Sequence, residues 1–594
     1  MKNSPNHTFH IPVMGLAFTI DSPIKVARFG ISSVISIAED RLIEMMRKHY
    51  SQEAGFDYVP IESHEADYRA RRIEAYLNLV GSIVAKQVEK LRLEPFGQGK
   101  EIDRYFEMLP EKNPSQALYL RMLETENLCD KIHLQDELRK AIVPGSIDVN
   151  IMTKLDKSNP NSAGEILDEN SDAVAALRGY SNSRLADSSI VFSAGLNPRL
   201  FAYLEHCPDF KADETGTTKK KIIIKVTDFR SALIQGKYVA KKGLWVSEFR
   251  IESGLNCGGH AFATDGYLLG PVLEEFKLRR AELYEAISTL MPGDTPMPAF
   301  KISVQGGIGT HEEDNFLRDN YEVDSTGWGT PFLLVPEATT VDEETMQVLA
   351  AAKEGDVILS KSSPLGVRFN YLKGTSGHIE RNLRILSGKS GSPCTEKHLA
   401  FNTEFTKEPI CTASKKYQKL KLADLQKAEL SETERLQARE DVLAKECLCV
   451  GLSNSAAIRY KELFVKKLHA VTMCPGPNIV NFSQIVSLKT MIDHIYGRIQ
   501  SLTKSSRPHM FIAELNLYVD YLKESLLEES TLAAFEKRKK YFGQFFENLY
   551  QGIAYYGTMA DQVSQSAQKQ FKIALQEAEL ELGLLKEQYL LVTG

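Results

Sequence analysis

Short runs of β-branched and aromatic residues alternate with longer stretches of helical periodicity through the first two-thirds of the chain. Such alternation is typical of parallel strands joined by helical crossovers. Several runs are nearly continuous in Val, Ile and Phe, as expected for strands buried on both faces. Eight runs are predicted as strands: His10–Met14, Ser32–Ile37, Ser146–Met152, Ser189–Ser193, Lys221–Val226, Leu244–Glu252, Phe300–Val304 and Tyr321–Trp328.

Eight parallel strands with helices between them predict an α/β fold, the (β/α)8 TIM barrel. In such barrels the chemistry lies on the loops after the C-terminal ends of the strands. An open doubly wound sheet produces the same alternation, and periodicity alone does not separate the two folds.

The remaining helical pattern predicts three additions to the barrel. The segment Ser63–Leu91 has apolar residues at helical spacing and charge on its other face, and we interpret it as a packing or interface element. Residues 356–360 could form one more short strand. The predicted division is a discontinuous barrel in 1–47 and 141–371, a helical insertion in 48–140, a loop-rich subdomain with five cysteines in 372–480, and a C-terminal helical extension in 481–594.

Composition and charge limit the kinds of molecule that the protein is expected to bind. The 594 residues carry a net charge of −6 and no long basic block, so nucleic acid is not an expected partner. No window offers about 18 uncharged apolar residues and the start resembles no export signal, which predicts a soluble, cytoplasmic protein without membrane contact. We expect a small-molecule substrate, with the insertion or the tail available to join copies in a homo-oligomer. The eight cysteines are expected to be reduced thiols or metal ligands rather than disulfides.

The segment VSEFRIESGLNCGGHAFAT, residues 246–264, runs from a strand into a loop with Gly258, Gly259 and His260. Two glycines let the backbone pass close to a flat ligand. A histidine at the C-terminal end of a barrel strand is a candidate for proton transfer near neutral pH, although a lone histidine is more often structural.

Two later strands also end in glycine. FKISVQGGIGT contains Gly306 and Gly307, and YEVDSTGWGTPFLLVP contains Gly329 and Thr330. Turns of this kind expose backbone N–H groups, which bind phosphate. By strand count these are the loops after the seventh and eighth strands, where barrels commonly hold a phosphate group.

The order GLNCGGH, ISVQGGIGT, DSTGWGTPFLLVPEAT resembles the nitronate monooxygenase family, whose flavin barrels show an A-G-G-H loop, a GGI turn and a final G-T-x-F segment. IPVMGLAFTIDSP, IDVNIM and IVFSAGLNP are similar to the opening strand, the V-N-L strand and the fourth strand of that family, and KECLCVGLSN to an element of its long members. The resemblance spans most of residues 10–455 and leaves out the insertion and the tail.

The resemblance implies an FMN-dependent oxidoreductase in which His260 is the catalytic base or orients the substrate over the flavin. It implies that the phosphate is held by Gly306, Gly307, Gly329 and Thr330. The other implied flavin contacts are Ala17, Phe18, Asn150, Gly258 and Gly259, with Lys225 at the electron-rich edge of the ring, where a cation stabilises the reduced flavin.

Some positions depart from the family pattern. Cys257 replaces an alanine, Asn256 replaces an acidic residue, and Gly15, Leu16 and Ala17 replace A-P-M. FMN binding stays the expectation, with oxidation of a small acidic-carbon substrate as the leading function. Two alternatives stay open: a flavin-dependent enoyl or acyl-thioester reductase of fatty-acid or polyketide synthesis, and a non-catalytic barrel scaffold that acts through its helical extension.

Four cysteines form a C-x16-C-x35-C-x-C arrangement. Four thiolates can hold zinc or an iron–sulfur cluster, but this spacing matches no standard signature. A metal site and ordinary buried thiols therefore both stay open for Cys394, Cys411, Cys447 and Cys449.

Overall fold

The computed structural model describes residues 6–593 except 153–155, 161–164, 194, 196, 262–264, 294–296, 395, 466–467 and 529–531. In the described residues the strands are β1 (Phe9–Ile11), β2 (Ser32–Ser36), β3 (Ile147–Ile151), β4 (Ser158–Pro160), β5 (Ile166–Ser171), β6 (Ser188–Phe192), β7 (Lys220–Val226), β8 (Val246–Glu252), β9 (Lys301–Gln305), β10 (Ser325–Gly327), β11 (Val357–Ser360) and β12 (Phe369–Leu372).

Helices follow most of these strands. Those up to β12 are α1 (Ser22–Val26), α2 (Asp40–Glu53), α3 (Tyr68–Leu93), α4 (Glu101–Met108), α5 (Pro114–Glu124), α6 (Leu128–Ala141), α7 (Asp172–Asn182), α8 (Pro198–Leu204), α9 (Phe229–Ala240), α10 (Leu269–Leu278), α11 (Arg280–Ser288), α12 (His311–Tyr321) and α13 (Glu343–Ala351). Those after β12 are α14 (Ser376–Leu386), α15 (Lys415–Leu425), α16 (Glu432–Leu443), α17 (Leu448–Gly451), α18 (Asn454–Arg459), α19 (Leu488–Ile495), α20 (Met510–Glu528), α21 (Leu532–Met559) and α22 (Gln565–Thr593). Short 3-10 helices lie at Ala27–Phe29, Pro208–Phe210, Thr330–Leu334 and Pro477–Asn481. Across the described residues, every helix is too short or too polar to cross a membrane.

The eight parallel strands close into a barrel in the order β1-β10-β9-β8-β7-β6-β3-β2. Closure is made by β1, which places Phe9 opposite Thr326 of β10 and His10 opposite Ser32 of β2. The predicted TIM-type barrel is thus confirmed, and the open doubly wound sheet is excluded.

All eight predicted runs supply a barrel strand, but several strands are shorter than expected, the last most of all. The predicted run began at Tyr321, which instead ends α12. Glu322 then adopts a left-handed backbone with φ of 54°, and the strand itself covers only Ser325–Gly327. The aromatic and β-branched composition of the run therefore predicted a strand where the chain forms the end of a helix.

The predicted amphipathic segment Ser63–Leu91 is largely the helix α3, which packs against α2 and α7. Its apolar face is buried, and four of its residues are 0% exposed: Ile73, Tyr76, Leu77 and Val80. In this structure α3 is therefore a packing element of the barrel wall.

Residues 372–480 contain the five helices α14 to α18, and most of their remaining described residues lie in loops. The short strand predicted at residues 356–360 forms as β11, paired antiparallel with β12 outside the barrel. The C-terminal extension contains α19, α20, α21 and α22, and its helices α20 and α21 pack on α10 of the barrel. The predicted C-terminal helical extension is thus confirmed.

The barrel interior is unusually polar. Barrel interiors are mostly filled by branched apolar side chains, whereas here Arg250 donates to Glu248 at 2.8 Å and Asp148 accepts the N–H of Ser189 at 2.8 Å. Burial raises the pKa of Asp148 above its usual value. Polar side chains at alternate strand positions therefore continue up to the C-terminal mouth.

Candidate active site

The glycine turns predicted to bind phosphate lie together at the C-terminal mouth of the barrel. A side chain built at Gly306 would come within 2.9 Å of the Asn256 backbone, and one at Gly329 within 2.8 Å of Cys257. The loop after β8 therefore packs directly on the loops after β9 and β10. Close loop-to-loop packing is one clear reason for glycine at these positions.

The turn after β9, residues 306–309 and called here the Gly307 turn, keeps unpaired donors. No acceptor among the described residues takes the backbone N–H groups of Gly307 and Ile308, although both residues are buried. Buried backbone N–H groups without a partner are rare. Such a turn can accept an anionic ligand.

The turn after β10 already makes close contacts with other parts of the protein. The N–H of Gly329 lies in hydrogen-bonding contact with the Cys257 thiol, whose pKa burial raises to about 12. A side chain at Gly476 would meet the Thr330 hydroxyl at 2.5 Å. Gly329 and Thr330 thus face protein atoms more closely than Gly307 does.

Near the C-terminal ends of the strands lie five polar side chains, three of which are connected by direct contacts. The Lys225 ammonium lies 3.3 Å from the Glu252 carboxylate, and Gln305 donates to the same carboxylate at 2.8 Å. Buried acceptor atoms of Asn150 (Oδ1) and Gln305 (Oε1), and Nε2 of His10, have no hydrogen-bond partner among the described residues. Burial lowers the pKa of His10 to about 3, so its ring is neutral. We call these five residues the polar floor.

Lys225 and Asn150 of the polar floor are sequence-predicted site residues, whereas His10, Glu252 and Gln305 were missed. A signal was present: each of the three lies on a predicted strand or next to its end, where a polar side chain is unexpected for a strand buried on both faces. Counting alternate strand positions would have found them.

His260 lies on the rim of the mouth. Its Nε2 is 2.7 Å from the Ser363 hydroxyl, and its ring meets Phe369 edge-on at 5.0 Å between centroids. Both partners belong to the β11–β12 region, which therefore holds the imidazole from outside the barrel.

Asn256 organises the loop that carries His260. Its side-chain oxygen accepts from the N–H of Gly258 at 2.8 Å and from the Asn370 amide at 2.9 Å, while its own amide donates to the His260 carbonyl at 3.2 Å. A carboxylate cannot donate. The asparagine that replaces the acidic residue of the family pattern is therefore able to make a hydrogen bond that an ionised acid could not make.

Ala17 and Phe18 lie in the loop after β1 and are at most 1% exposed. The Phe18 ring occupies the space beside Gly15, and the Phe18 carbonyl accepts the N–H of Thr340 at 2.8 Å. Neither side chain presents an open surface, and their flavin contact stays a prediction.

A segment from beyond the barrel crosses the mouth. The carbonyl of Cys474 accepts the N–H of Gly259 at 3.2 Å, Pro475 pairs with Gly258, and Asn478 donates to the Ile308 carbonyl at 3.0 Å. A side chain at Gly258, whose φ is +115°, would lie 2.0 Å from the Cys474 carbonyl oxygen. Sequence reasoning placed this segment, called here the 474–478 strap, in a separate subdomain.

Three of the four candidate metal ligands meet. The thiols of Cys394, Cys447 and Cys449 hydrogen-bond with one another. The bonds from the other two thiols, together with backbone N–H donors, lower the pKa of Cys394, whereas the bond to Cys394 raises the pKa of Cys447. Cys411 is near enough to Cys394 for their charges to interact. Within the described part of the chain, no group of three or more His, Cys, Asp or Glu side chains has the arrangement of a metal site. A metal at these thiols stays a prediction, and all eight cysteines are free.

The fold and the mouth define an eight-stranded parallel barrel with candidate chemistry at its C-terminal end. No protein-family model and no curated protein sequence matches the chain. Among solved structures, it is similar to the enoyl reductase domain of MlnA from the macrolactin biosynthesis cluster of Bacillus amyloliquefaciens, at 15% identity and a TM-score of 0.34. That match covers 70% of this chain and 89% of the other. The barrel is therefore established by its own strand pairing, and the likeness carries no functional argument.

Proposed function

We propose that the protein is an FMN-dependent oxidoreductase, similar to the nitronate monooxygenases, that oxidises a small substrate at an acidic carbon. The observation that carries the proposal is the convergence, at one barrel mouth, of unpaired N–H donors in the Gly307 turn with the unpaired acceptors and the cation of the polar floor.

These groups fit FMN in two places. The N–H groups of Gly307 and Ile308 would hold the phosphate, and Asn150 and Lys225 would meet the polar edge of the ring. Gly329 and Thr330 fit less well, since Cys257 and Gly476 already contact them. The phosphate would therefore rest mainly on the Gly307 turn.

Bound FMN would supply a two-electron acceptor. The protein would supply charge and proton handling: Lys225, held by Glu252, would place a positive charge at the ring edge, and His260, steadied by Ser363, would take the proton from the acidic carbon. The 474–478 strap would exclude water from the loop that carries His260.

The test begins with the colour of the purified protein. A yellow protein that releases FMN on denaturation, identified by mass, and whose flavin is reduced anaerobically by a nitroalkane, which still carries its acidic C–H, supports the proposal. A colourless protein that cannot be loaded with FMN contradicts it and favours the scaffold alternative. A loaded protein whose flavin is reduced by a nicotinamide and reoxidised by an enoyl thioester, but is not reduced by nitroalkanes, would assign the reductase alternative.

A further inference from the structure

We infer that the C-terminal extension completes the candidate active site, with Glu514 and Arg507 as positioning residues that hold its two glycine-bearing loops. The first is the His260 loop, of which the structure describes residues 253–261 and 265–269, and the second is the Gly307 turn. The consequence for catalysis rests on the proposed function, whereas the positioning itself does not.

Glu514 of α20 ties together the two ends of the His260 loop. Its Oε1 accepts the hydroxyl of Ser253 at 2.8 Å and the N–H of Gly254 at 2.7 Å, and its Oε2 accepts the N–H of Leu269 at 2.7 Å. The side chain is 1% exposed, and burial raises its pKa. The three donors to this buried carboxylate all come from one loop, and burial of its charge would be costly without them, so the side chain holds the two ends of that loop together.

Other residues of the extension support the same loop. Asn548 of α21 donates to the Asp265 carbonyl at 2.8 Å, and the Tyr556 hydroxyl accepts the N–H of Gly270 at 3.2 Å. A side chain at Gly254 would lie 2.5 Å from the Tyr518 hydroxyl. The extension therefore contacts the loop at its start, in its second half and just past its end.

Arg507, just before α20, holds the Gly307 turn in the same way. Its guanidinium donates to the Gly307 carbonyl at 2.7 Å and to Glu313 of α12 at 2.6 Å, while Glu313 accepts the N–H of Gly309 at 2.8 Å. The side chains of Arg507 and Glu313 are 5% and 3% exposed. Because Arg507 donates to the carbonyl of Gly307, it holds the turn in place while the N–H groups of the turn stay available to a ligand.

These contacts explain why the site would need the extension. Loops at a barrel mouth are its most mobile parts, and a binding constellation depends on neighbours that lock it in place. Here the neighbours come from residues 507–556, more than 200 positions along the chain from either loop's start.

Hydrogen–deuterium exchange of the full-length protein tests the inference. Glu514→Gln presents an amide NH2 to N–H donors, so we expect amide exchange in peptides covering 253–261 and 265–270 to rise roughly tenfold or more. Arg507→Met should do the same for peptides covering 306–310. Ser253→Ala, which removes one of the three donors to Glu514, should give a smaller rise in the same first set.

Two matched controls lie on α20. Asp520→Asn makes the same acid-to-amide change at an exposed position, and Lys523→Met removes a half-exposed cation paired with Glu581. Neither should alter exchange in the two loops. Unchanged exchange in Glu514→Gln and Arg507→Met, or a rise spread evenly over the whole protein together with a lowered unfolding midpoint, would overturn the inference. If Glu514→Gln fails to fold, Ser253→Ala decides the matter.

FMN affinity separates this inference from the proposed function. A wild-type protein that takes up no FMN contradicts the proposed function, yet the exchange data still decide whether the extension holds the loops. A wild-type protein that binds FMN, with both variants exchanging and binding as it does, contradicts the inference alone.

Discussion

Gly307 combines two constraints that no other residue type meets. Its φ is +81°, and an added Cβ would lie 2.4 Å from the Leu255 side chain. We expect Gly307→Val to reduce FMN retention strongly, because the side chain displaces Leu255 and shifts the N–H groups of the turn. Fluorescence titration of FMN measures the effect.

A matched control is Gly355→Val, since Gly355 has a φ of +86° with nothing within 4 Å of an added Cβ. It carries the same backbone strain and should bind FMN normally. Equal retention by both variants would place the phosphate elsewhere.

His260 is the second residue whose removal is diagnostic. We expect His260→Ala to keep FMN while lowering turnover by about 10²- to 10⁴-fold, as expected for loss of a general base. His133→Ala is the control, because the His133 side chain is 75% exposed on α6. Unchanged turnover of His260→Ala would remove the imidazole from the mechanism.

His509 makes stability depend on pH. Burial lowers its pKa from 6.5 to about 4, so the folded protein keeps it neutral. Below pH 6.5 the His509 imidazole binds a proton in the unfolded chain but not in the folded protein. The free energy of unfolding therefore falls as the pH drops toward about 4. The difference approaches about 3 kcal/mol for one such group.

Urea unfolding between pH 7 and pH 4 measures this effect. His509→Gln should show a shallower loss of stability with falling pH, whereas His133→Gln should follow the wild-type curve. Parallel curves for His509→Gln and wild type would show that the imidazole is not held neutral.

The sequence predicts single residues best where a backbone rule applies. The glycines and Lys225 follow from strand ends and a known pattern, and the structure gathers them at one mouth. Glu252 and Gln305 were not predicted as site residues, because the strands were identified by their hydrophobic content. The two side chains contact each other at alternate strand positions that face a polar interior. The role of Asn256 depends on Asn370, more than 100 positions away, which no local pattern encodes.

The helix α3 illustrates an element that periodicity predicts well. Leu77 is 0% exposed on its packed face, whereas Leu93 at its end is 77% exposed. We expect Leu77→Ala to lower the free energy of unfolding by about 2–5 kcal/mol, since it leaves a cavity in a packed wall. Leu93→Ala should change it by less than about 0.5 kcal/mol. Urea unfolding compares the two, and similar losses would mean that α3 is not packed as described.

Most of the eight barrel strands were predictable because they are short, rich in β-branched residues and bounded by turns, whereas β10, with the sequence Ser-Thr-Gly, was found only as part of a longer run. The helices α15 and α16 were not predictable, because most of their positions are exposed and polar and leave no apolar stripe to recognise. The strap was missed for a related reason: Cys474 and Pro475 bind the loop of Gly258 through backbone atoms, which have no sequence signature.

The complete chain should titrate as eight free thiols. All eight cysteines are unpaired in the structure, including the three whose thiols meet. We expect eight thiols to react with a disulfide reagent in denaturant without reductant. Elemental analysis for zinc and iron on the same sample tests the metal prediction. Fewer than eight thiols, with no metal present, would reveal a disulfide that contradicts this structure.

The 474–478 strap and the contacts of Glu514 also bear on how the protein is made. A ribosome delivers the strands of the barrel long before residues 474–556, and domains generally begin to fold as they emerge. During that interval the Gly258 and Gly307 loops exist without the side chains that later fix them. A nascent chain would therefore have a formed barrel with an unfinished mouth, and its candidate active site would be completed only once residues 474–556 have been synthesised.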